Sequence, residues 1–196
     1  MQQQQPQVDR GMGMKDAMSI GMAIARALAT SVEVFLHQGK SFGERYLGPQ
    51  SVVAAAIMFC FPIFWPDRDP EPLLWFLATY LFLLLCAKGK VAKRRARGKP
   101  MEHSYYTGRP RLLRLTRGRG EVRIKTTLEP ALVLITGMVA TGINEPLGAY
   151  LMLAGVGLGL TVTASAHQDR MRALDMHDAL LDQRRITELW RRGSGQ

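Results

Sequence analysis

The chain of 196 residues is poor in the residues from which many enzyme active sites are built. It has two cysteines and four histidines, and it contains no CxxC, HExxH or GxSxG motif and no Walker-type phosphate loop. These absences remove the sequence signatures of dithiol redox proteins, zinc proteases, serine hydrolases and P-loop nucleotide hydrolases. We therefore expect a non-enzymatic protein with no cofactor and no metal site.

Acidic side chains are nearly absent from one segment, residues 88–125. It holds 14 Lys and Arg against Glu102 and Glu121, a net charge of +12, whereas the other 158 residues sum to −2. This segregation excludes a uniformly basic globule, and a 47% hydrophobic composition excludes a disordered chain. The residues expected to contact anionic lipid headgroups or another polyanion are Lys88, Lys90, Lys93, Arg94, Arg95, Arg97, Lys99, Arg109, Arg111, Arg114, Arg117 and Arg119.

Charge is missing altogether from apolar runs on both sides of the basic segment. Ser51–Trp65 and Leu73–Ala87 precede it, and residues 131–143 and 147–166 follow it. Runs of this kind favour membrane-spanning helices, with a buried helical hairpin of a soluble protein as the alternative. The predicted fold is an all-α integral membrane protein with two transmembrane helical hairpins, about four spans. The third run is the shortest, so a re-entrant segment is its alternative.

The two short turns between the paired runs are acidic. Residues 66–72, PDRDPEP, carry −2 and residues 144–146 carry −1. The positive-inside rule places the +12 connector in the cytoplasm and both turns outside, with both termini inside. The predicted location is a bacterial inner membrane. Pro62 predicts a bend near the outer end of the first run.

The segment before the first run reads as a disordered tail, residues 1–13, followed by an amphipathic helix, residues 14–38. Its helical wheel gathers Lys15, Ser19, Arg26, Thr30, Glu33 and His37 into one narrow polar strip. The helix lies in the membrane interface, docks on the bundle, or is a processed targeting segment. His37, four residues after Glu33, is interpreted as a surface histidine beside a carboxylate rather than as a titrating switch.

Two further patterns suggest packing surfaces. Alternation of Leu113 and Leu115 with Val122 and Ile124 around a glycine-rich turn predicts two short strands that dock a partner protein. Gly155 and Gly159 form a GxxxG pair, for which packing within the chain is favoured over a dimer. The predicted divisions are a tail at 1–13, an amphipathic helix at 14–38, hairpins at 49–88 and 126–166, a connector at 89–125, and a cytoplasmic helix and tail at 167–196.

Function is predicted from topology and charge. The first hypothesis is a structural or adaptor subunit that contacts lipids and other membrane proteins, with a bacterial secretion or DNA-transfer apparatus as the candidate assembly. The second is a small transporter or channel that uses Glu129, the one carboxylate inside an apolar run, although a helix start is the favoured explanation of Glu129. The third is a membrane-tethered nucleic-acid binder, which has only Tyr105 and Tyr106 for base stacking.

Overall fold

The computed structural model describes residues 13–39, 42–43, 48–98, 107–114 and 121–193. These residues form helices and turns, with no strand among them beyond one isolated bridge between His37 and Pro110. The all-α prediction is confirmed for this part of the chain. The elements are α1 (Met14–Leu36), α2 (Pro49–Cys60) with a 3-10 turn (Phe61–Phe64), α3 (Glu71–Ala96), a 3-10 turn (Arg111–Arg114), α4 (Glu121–Arg123) with a π-helical turn (Ile124–Leu128), α5 (Glu129–Thr141) and α6 (Glu145–Gly193).

Four of the described helices are long and apolar enough to cross a membrane. They are Asp16–Leu36, Glu71–Ala96, Ile124–Thr141 and Glu145–Arg191. The number agrees with the sequence prediction, but the set differs. Residues 49–64 form a shorter apolar helix because the α-helix gives way to a 3-10 turn at Phe61, next to Pro62. The N-terminal helix α1 replaces it among the four helices that are long enough to cross a membrane.

The two acidic turns lie at the same end of the helices, called here the turn end. Arg68 Nη2 donates to Glu145 Oε1 at 3.0 Å, and Asn144 Nδ2 donates to the Asp69 carbonyl at 3.0 Å. Helices α3 and α6 both start from these turns, and α5 ends there. The other end, where α3 meets the basic residues and α5 begins, is called the connector end.

Helix α5 packs on the first part of α6 through glycines. The close approaches are Gly148 to Thr141, Gly137 to Met152, Gly155 to Leu134 and Gly159 to Pro130. The residue numbers along α6 increase as those of the contacting residues on α5 decrease, so the two helices are antiparallel. An added Cβ at Gly148 would meet both the backbone and the side chain of Thr141, which makes this the tightest approach.

Helix α1 crosses the bundle near the connector end. An added Cβ at Gly157 would lie 2.9 Å from the Ala25 carbonyl oxygen, and His37 bonds to Glu129. Gly157 and Glu129 are almost level with one another because Gly159 lies beside Pro130. Ala25 and His37 are about 18 Å apart along a helix. Helix α1 therefore contacts α6 at Ala25 and α5 at His37.

The polar strip of α1 faces inwards in its second half. Thr30, Glu33 and His37 are buried, whereas Ile20 and Ile24 are each 47% exposed. The interpretation of His37 as a surface histidine is therefore wrong. The same half of the helix buries apolar side chains as well, among them Val32 and Val34.

The connector differs from the prediction in two respects. The proposed pair of strands is wrong, because residues 111–114 form a 3-10 turn and residues 121–128 are helical. Helix α3 continues through Ala96, so the first basic residues extend a helix instead of starting a loop. Cys60 and Cys86 both carry free thiols.

Contacts within the chain define two units, one that ends at Thr161 and one that starts at Val162. The second unit consists of the remainder of α6, which confirms that the last apolar run continues as a single helix into the polar C-terminal segment. Its apolar side chains are exposed, among them Met171, Leu174, Leu181 and Leu189.

Candidate functional site: a buried histidine–carboxylate pair

His37 ends α1 and begins the contact between that helix and the connector. Its backbone is extended, and its N–H donates to the Glu33 carbonyl. The next residue, Gln38, donates its N–H to the Arg109 carbonyl at 3.0 Å, and Arg111 Nε donates to the His37 carbonyl at 3.0 Å. Together with the bridge to Pro110, these bonds fix residues 109–111 against the end of α1.

The imidazole ring of His37 joins two further segments. Nδ1 lies 2.7 Å from the Thr107 carbonyl oxygen, and Nε2 lies 2.9 Å from Glu129 Oε2 and 3.2 Å from Oε1. A carbonyl oxygen only accepts, so Nδ1 must carry a hydrogen. The Nε2 contact then requires another proton, because a lone pair cannot bond to a carboxylate. The pair is either imidazolium with carboxylate or neutral imidazole with carboxylic acid.

Glu129 is held at this position by an irregular piece of helix. It is the first residue of α5, as the sequence predicted, and Pro130 follows it at a position that needs no N–H donor. The preceding residues, Ile124–Leu128, form a π-helical turn, a rare feature found often at functional sites. Both side chains of the pair are nearly inaccessible, with exposures of 1% for His37 and 0% for Glu129.

Two more charged groups act on the imidazole, Glu33 from α1 and Lys125 from the π-helical turn. Burial by itself lowers the pKa of His37. The hydrogen bond to Glu129 and the negative charges of Glu33 and Glu129 outweigh burial and the opposing charge of Lys125, so the pKa of His37 is raised above its usual value. Lys125 is itself attached to the connector, since its Nζ donates to Thr107 Oγ1 at 3.2 Å.

A second group of buried polar side chains lies among α1, α2, α3 and α6. Tyr80 Oη donates to the Ser51 carbonyl at 3.1 Å, and Ser31 Oγ donates to the Leu28 carbonyl at 2.6 Å. Tyr150 is fully buried with its hydroxyl near Ser31, yet it completes no hydrogen bond of acceptable geometry in the described part of the chain. Among the buried side chains that the structure describes, the Tyr150 hydroxyl is the exception.

The predicted lipid-contacting residues are mostly at the surface. Lys88, Lys90, Lys93, Arg95, Arg97, Arg109 and Arg111 are exposed, and Arg94 is half-buried. Lys99, Arg117, Arg119 and the side chain of Arg114 lie outside the described residues. Six of the basic residues surround the end of α3 at helical spacing and form a collar of charge rather than one flat face: Lys88, Lys90, Lys93, Arg94, Arg95 and Arg97.

The other predicted site residues are scattered. Ile124 is fully buried, Val122 is 69% exposed, Leu113 is half-buried, and Leu115 lies outside the described residues. The structure does not bring them to one surface. Gly155 and Gly159 both face α5 of the same chain. Over the described ranges, no group of three His, Cys, Asp or Glu side chains is arranged to hold a metal ion.

The sequence pattern singled out both His37 and Glu129. It did not predict their contact, because 92 positions separate them. A usable signal was present. Glu33, His37 and Glu129 are among the ionisable residues placed inside or at the edge of otherwise apolar helices, where such groups are costly unless partnered. The comparisons add no assignment: no family model, curated protein or solved structure matches the chain.

Proposed function

We propose that the protein is a non-enzymatic structural or adaptor subunit integral to a bacterial inner membrane, which presents a basic surface to a partner on the cytoplasmic side. The observation that carries this proposal is the junction at the end of α1, where Thr107, Arg109 and Arg111 are bonded to His37 and Gln38. His37 is in turn bonded to Glu129 of α5. A long basic loop is costly to order. Its attachment at several points is what a presented surface requires.

The charge difference between the two ends supports the orientation. Asp67, Asp69, Glu71 and Glu145 lie at the turn end, and the basic collar of α3 lies at the connector end. The positive-inside rule then puts the connector end in the cytoplasm. A secretion or DNA-transfer apparatus is the assembly we propose, because both need small membrane subunits that hold cytoplasmic components.

Exposed apolar side chains support insertion and subunit contact. Phe59, Trp75, Phe82 and Leu85 are each at least 65% exposed, and Ile143 at the turn end is 86% exposed. In water such a surface would be an aggregation hazard, whereas in a bilayer it contacts acyl chains or neighbouring helices.

Orientation is tested by cysteine labelling in the full chain with both native cysteines replaced by alanine. Asp69→Cys is expected to react with a membrane-impermeant maleimide added to intact spheroplasts, and Lys93→Cys only after permeabilisation. Asp69 lies just before the start of α3 and Lys93 lies in its last turn, so the two labelling positions are at opposite ends of one helix. Labelling of Lys93→Cys in intact spheroplasts, with Asp69→Cys protected, would reverse the proposed orientation.

The adaptor role is tested by purification of the tagged full chain from native membranes in mild detergent. We expect a partner in stoichiometric amount, which is lost when Lys93, Arg95 and Arg97 are changed to glutamine. The matched control changes Arg170, Arg172 and Arg184, three exposed arginines of α6, to glutamine and retains the partner. Recovery of nucleic acid in place of a protein would favour the membrane-tethered nucleic-acid binder.

A second candidate function, a small proton-coupled transporter or channel, is favoured by one observation. The carboxylate of Glu129 has a histidine partner and a second carboxylate, Glu33, within electrostatic reach, which is the composition of a proton relay. The variant Glu129→Gln distinguishes the two proposed functions. A transporter would lose transport with its assembly intact, whereas an adaptor would retain its partner and its function at neutral pH.

A further inference from the structure

The contact between His37 and Glu129 binds one proton that the separated residues do not hold at neutral pH. In the closed arrangement one proton lies between Nε2 and the carboxylate, because Nδ1–H is committed to Thr107. In an opened arrangement the imidazole returns to its ordinary pKa of about 6.5. Above about pH 6.5 the open state therefore binds fewer protons than the closed state.

The same contact is a mechanical attachment point. His37 belongs to α1, Glu129 to α5, and Thr107 to the connector, and the ring bonds to both partners at once. The neighbouring bonds from Gln38 to Arg109 and from Arg111 to His37 depend on the same placement of the chain. If the ring moves away from Glu129, the connector loses its anchor on the helices.

We propose that the His37–Glu129 pair is a proton-binding latch that fastens residues 107–111 to α1 and α5, and that loss of its proton in alkaline medium releases this segment. The latch goes beyond the adaptor role and does not depend on it. It makes the presentation of the basic surface conditional on local pH.

The charges around the latch set the direction of the response. In the described chain they are Glu33 on α1, Glu129 on α5, Lys125 on the π-helical turn, and Arg111 on the connector. Since the pKa of His37 is raised in the folded chain, the stabilisation is complete below about pH 6.5 and is lost as the pH rises through the raised value.

The experiment is hydrogen exchange of the full chain in detergent micelles, followed by mass spectrometry and corrected for the intrinsic effect of pH. The reporter is the Gln38 amide, which donates to the Arg109 carbonyl. In the wild type we expect its opening constant to rise by up to about tenfold per pH unit above about pH 6.5, until the raised pKa is reached. The Gly148 amide, bonded to the Asn144 carbonyl at the turn end, is the internal reference and stays unchanged.

Glu129→Gln separates a proton latch from a merely structural contact. Its side-chain amide supplies a permanent N–H donor to neutral Nε2, so the junction remains protected at about pH 9, where the wild type opens. The control, Glu145→Gln, neutralises the exposed carboxylate at the turn end and retains the wild-type response. Equal protection of wild-type Gln38 at about pH 6 and about pH 9 would overturn the proposal. So would opening of Glu129→Gln in parallel with the wild type while the Gly148 amide remains protected.

Discussion

Two ion pairs of nearly equal length lie at opposite ends of the helices, and they differ in how far their side chains are buried. Arg68 and Glu145 meet at 3.0 Å with side-chain exposures of 57% and 44%, whereas His37 and Glu129 meet at 2.9 Å with exposures of 1% and 0%. The first pair joins two short turns whose residues lie 77 positions apart. The second joins the end of α1 to the start of α5 across 92 positions.

The difference in burial decides what each pair contributes. Water competes with and screens the exposed pair, for which about 0–1 kcal/mol is typical. A buried pair is costly to form, but removal of one partner leaves an uncompensated polar group and costs about 3–5 kcal/mol. The turn end is thus held by close helix packing and the connector end by hydrogen bonds and charge.

The largest effect is expected from Glu129→Ala, which leaves the His37 ring without its partner. We expect a loss of about 3–5 kcal/mol in the free energy of unfolding, measured by thermal or denaturant unfolding in a mild detergent. Glu145→Ala, the matched truncation at the turn end, is expected to cost about 1 kcal/mol or less. Equal losses in the two variants would remove the distinction between the two ends.

Packing at the turn end is broken by Gly148→Ala. The added methyl group meets Thr141 on α5, so we expect a loss of about 1–3 kcal/mol in the same unfolding measurement. Gly89→Ala is the control, because an added Cβ there meets nothing within 4 Å on α3. That variant gains up to about 1 kcal/mol from helix propensity alone. A Gly148→Ala variant as stable as Gly89→Ala would show that the helices are not held by this approach.

Two interior tyrosines allow a buried hydroxyl with a hydrogen-bond partner to be compared with one that has none in the described chain. Tyr80→Phe removes a hydroxyl bonded to the Ser51 carbonyl and is expected to cost about 1 kcal/mol. Tyr150→Phe removes a buried hydroxyl without an acceptable partner in the described chain and is expected to be neutral or stabilising by up to about 1 kcal/mol. A larger loss in Tyr150→Phe than in Tyr80→Phe would reveal a partner for the Tyr150 hydroxyl.

The smallest effect is expected from salt on the exposed pair. Raising the ionic strength from about 0.1 M to about 1 M shortens the screening length from about 10 Å to about 3 Å. The stability difference between the wild type and Glu145→Gln should shrink towards zero under this change. The corresponding difference for Glu129→Gln should persist, because buried pairs are screened much less.

Local chemistry made much of the fold predictable from the sequence. Uncharged runs predicted helices, Pro62 predicted a bend in the first run, and the acidic turns with their prolines marked the starts of α3 and α6. Each of these signals acts within one or two turns of the chain. The number of long apolar helices was also correct, although α1 rather than α2 completes the set.

The candidate site could not be assembled from the sequence because it depends on distant contacts. The wheel of α1 grouped Glu33 with His37, but nothing local shows that this strip faces α5 and the connector. Leu113 and Val122 alternate as strand residues do, yet the helix that leads into Glu129 overrode that preference. The GxxxG pattern predicted packing at Gly155 and Gly159, whereas the closest approach between α5 and α6 is at Gly148.

A double-mutant cycle tests the central claim, that a buried pair fastens the connector end, most directly. The free energies of unfolding of His37→Ala, Glu129→Ala and the double variant give one coupling energy, and the same set for Arg68 and Glu145 gives another. We predict coupling of about 1.5–3 kcal/mol for the buried pair and about 0.2–1 kcal/mol for the exposed pair. Coupling near zero between His37 and Glu129, with all variants folded, would contradict the account.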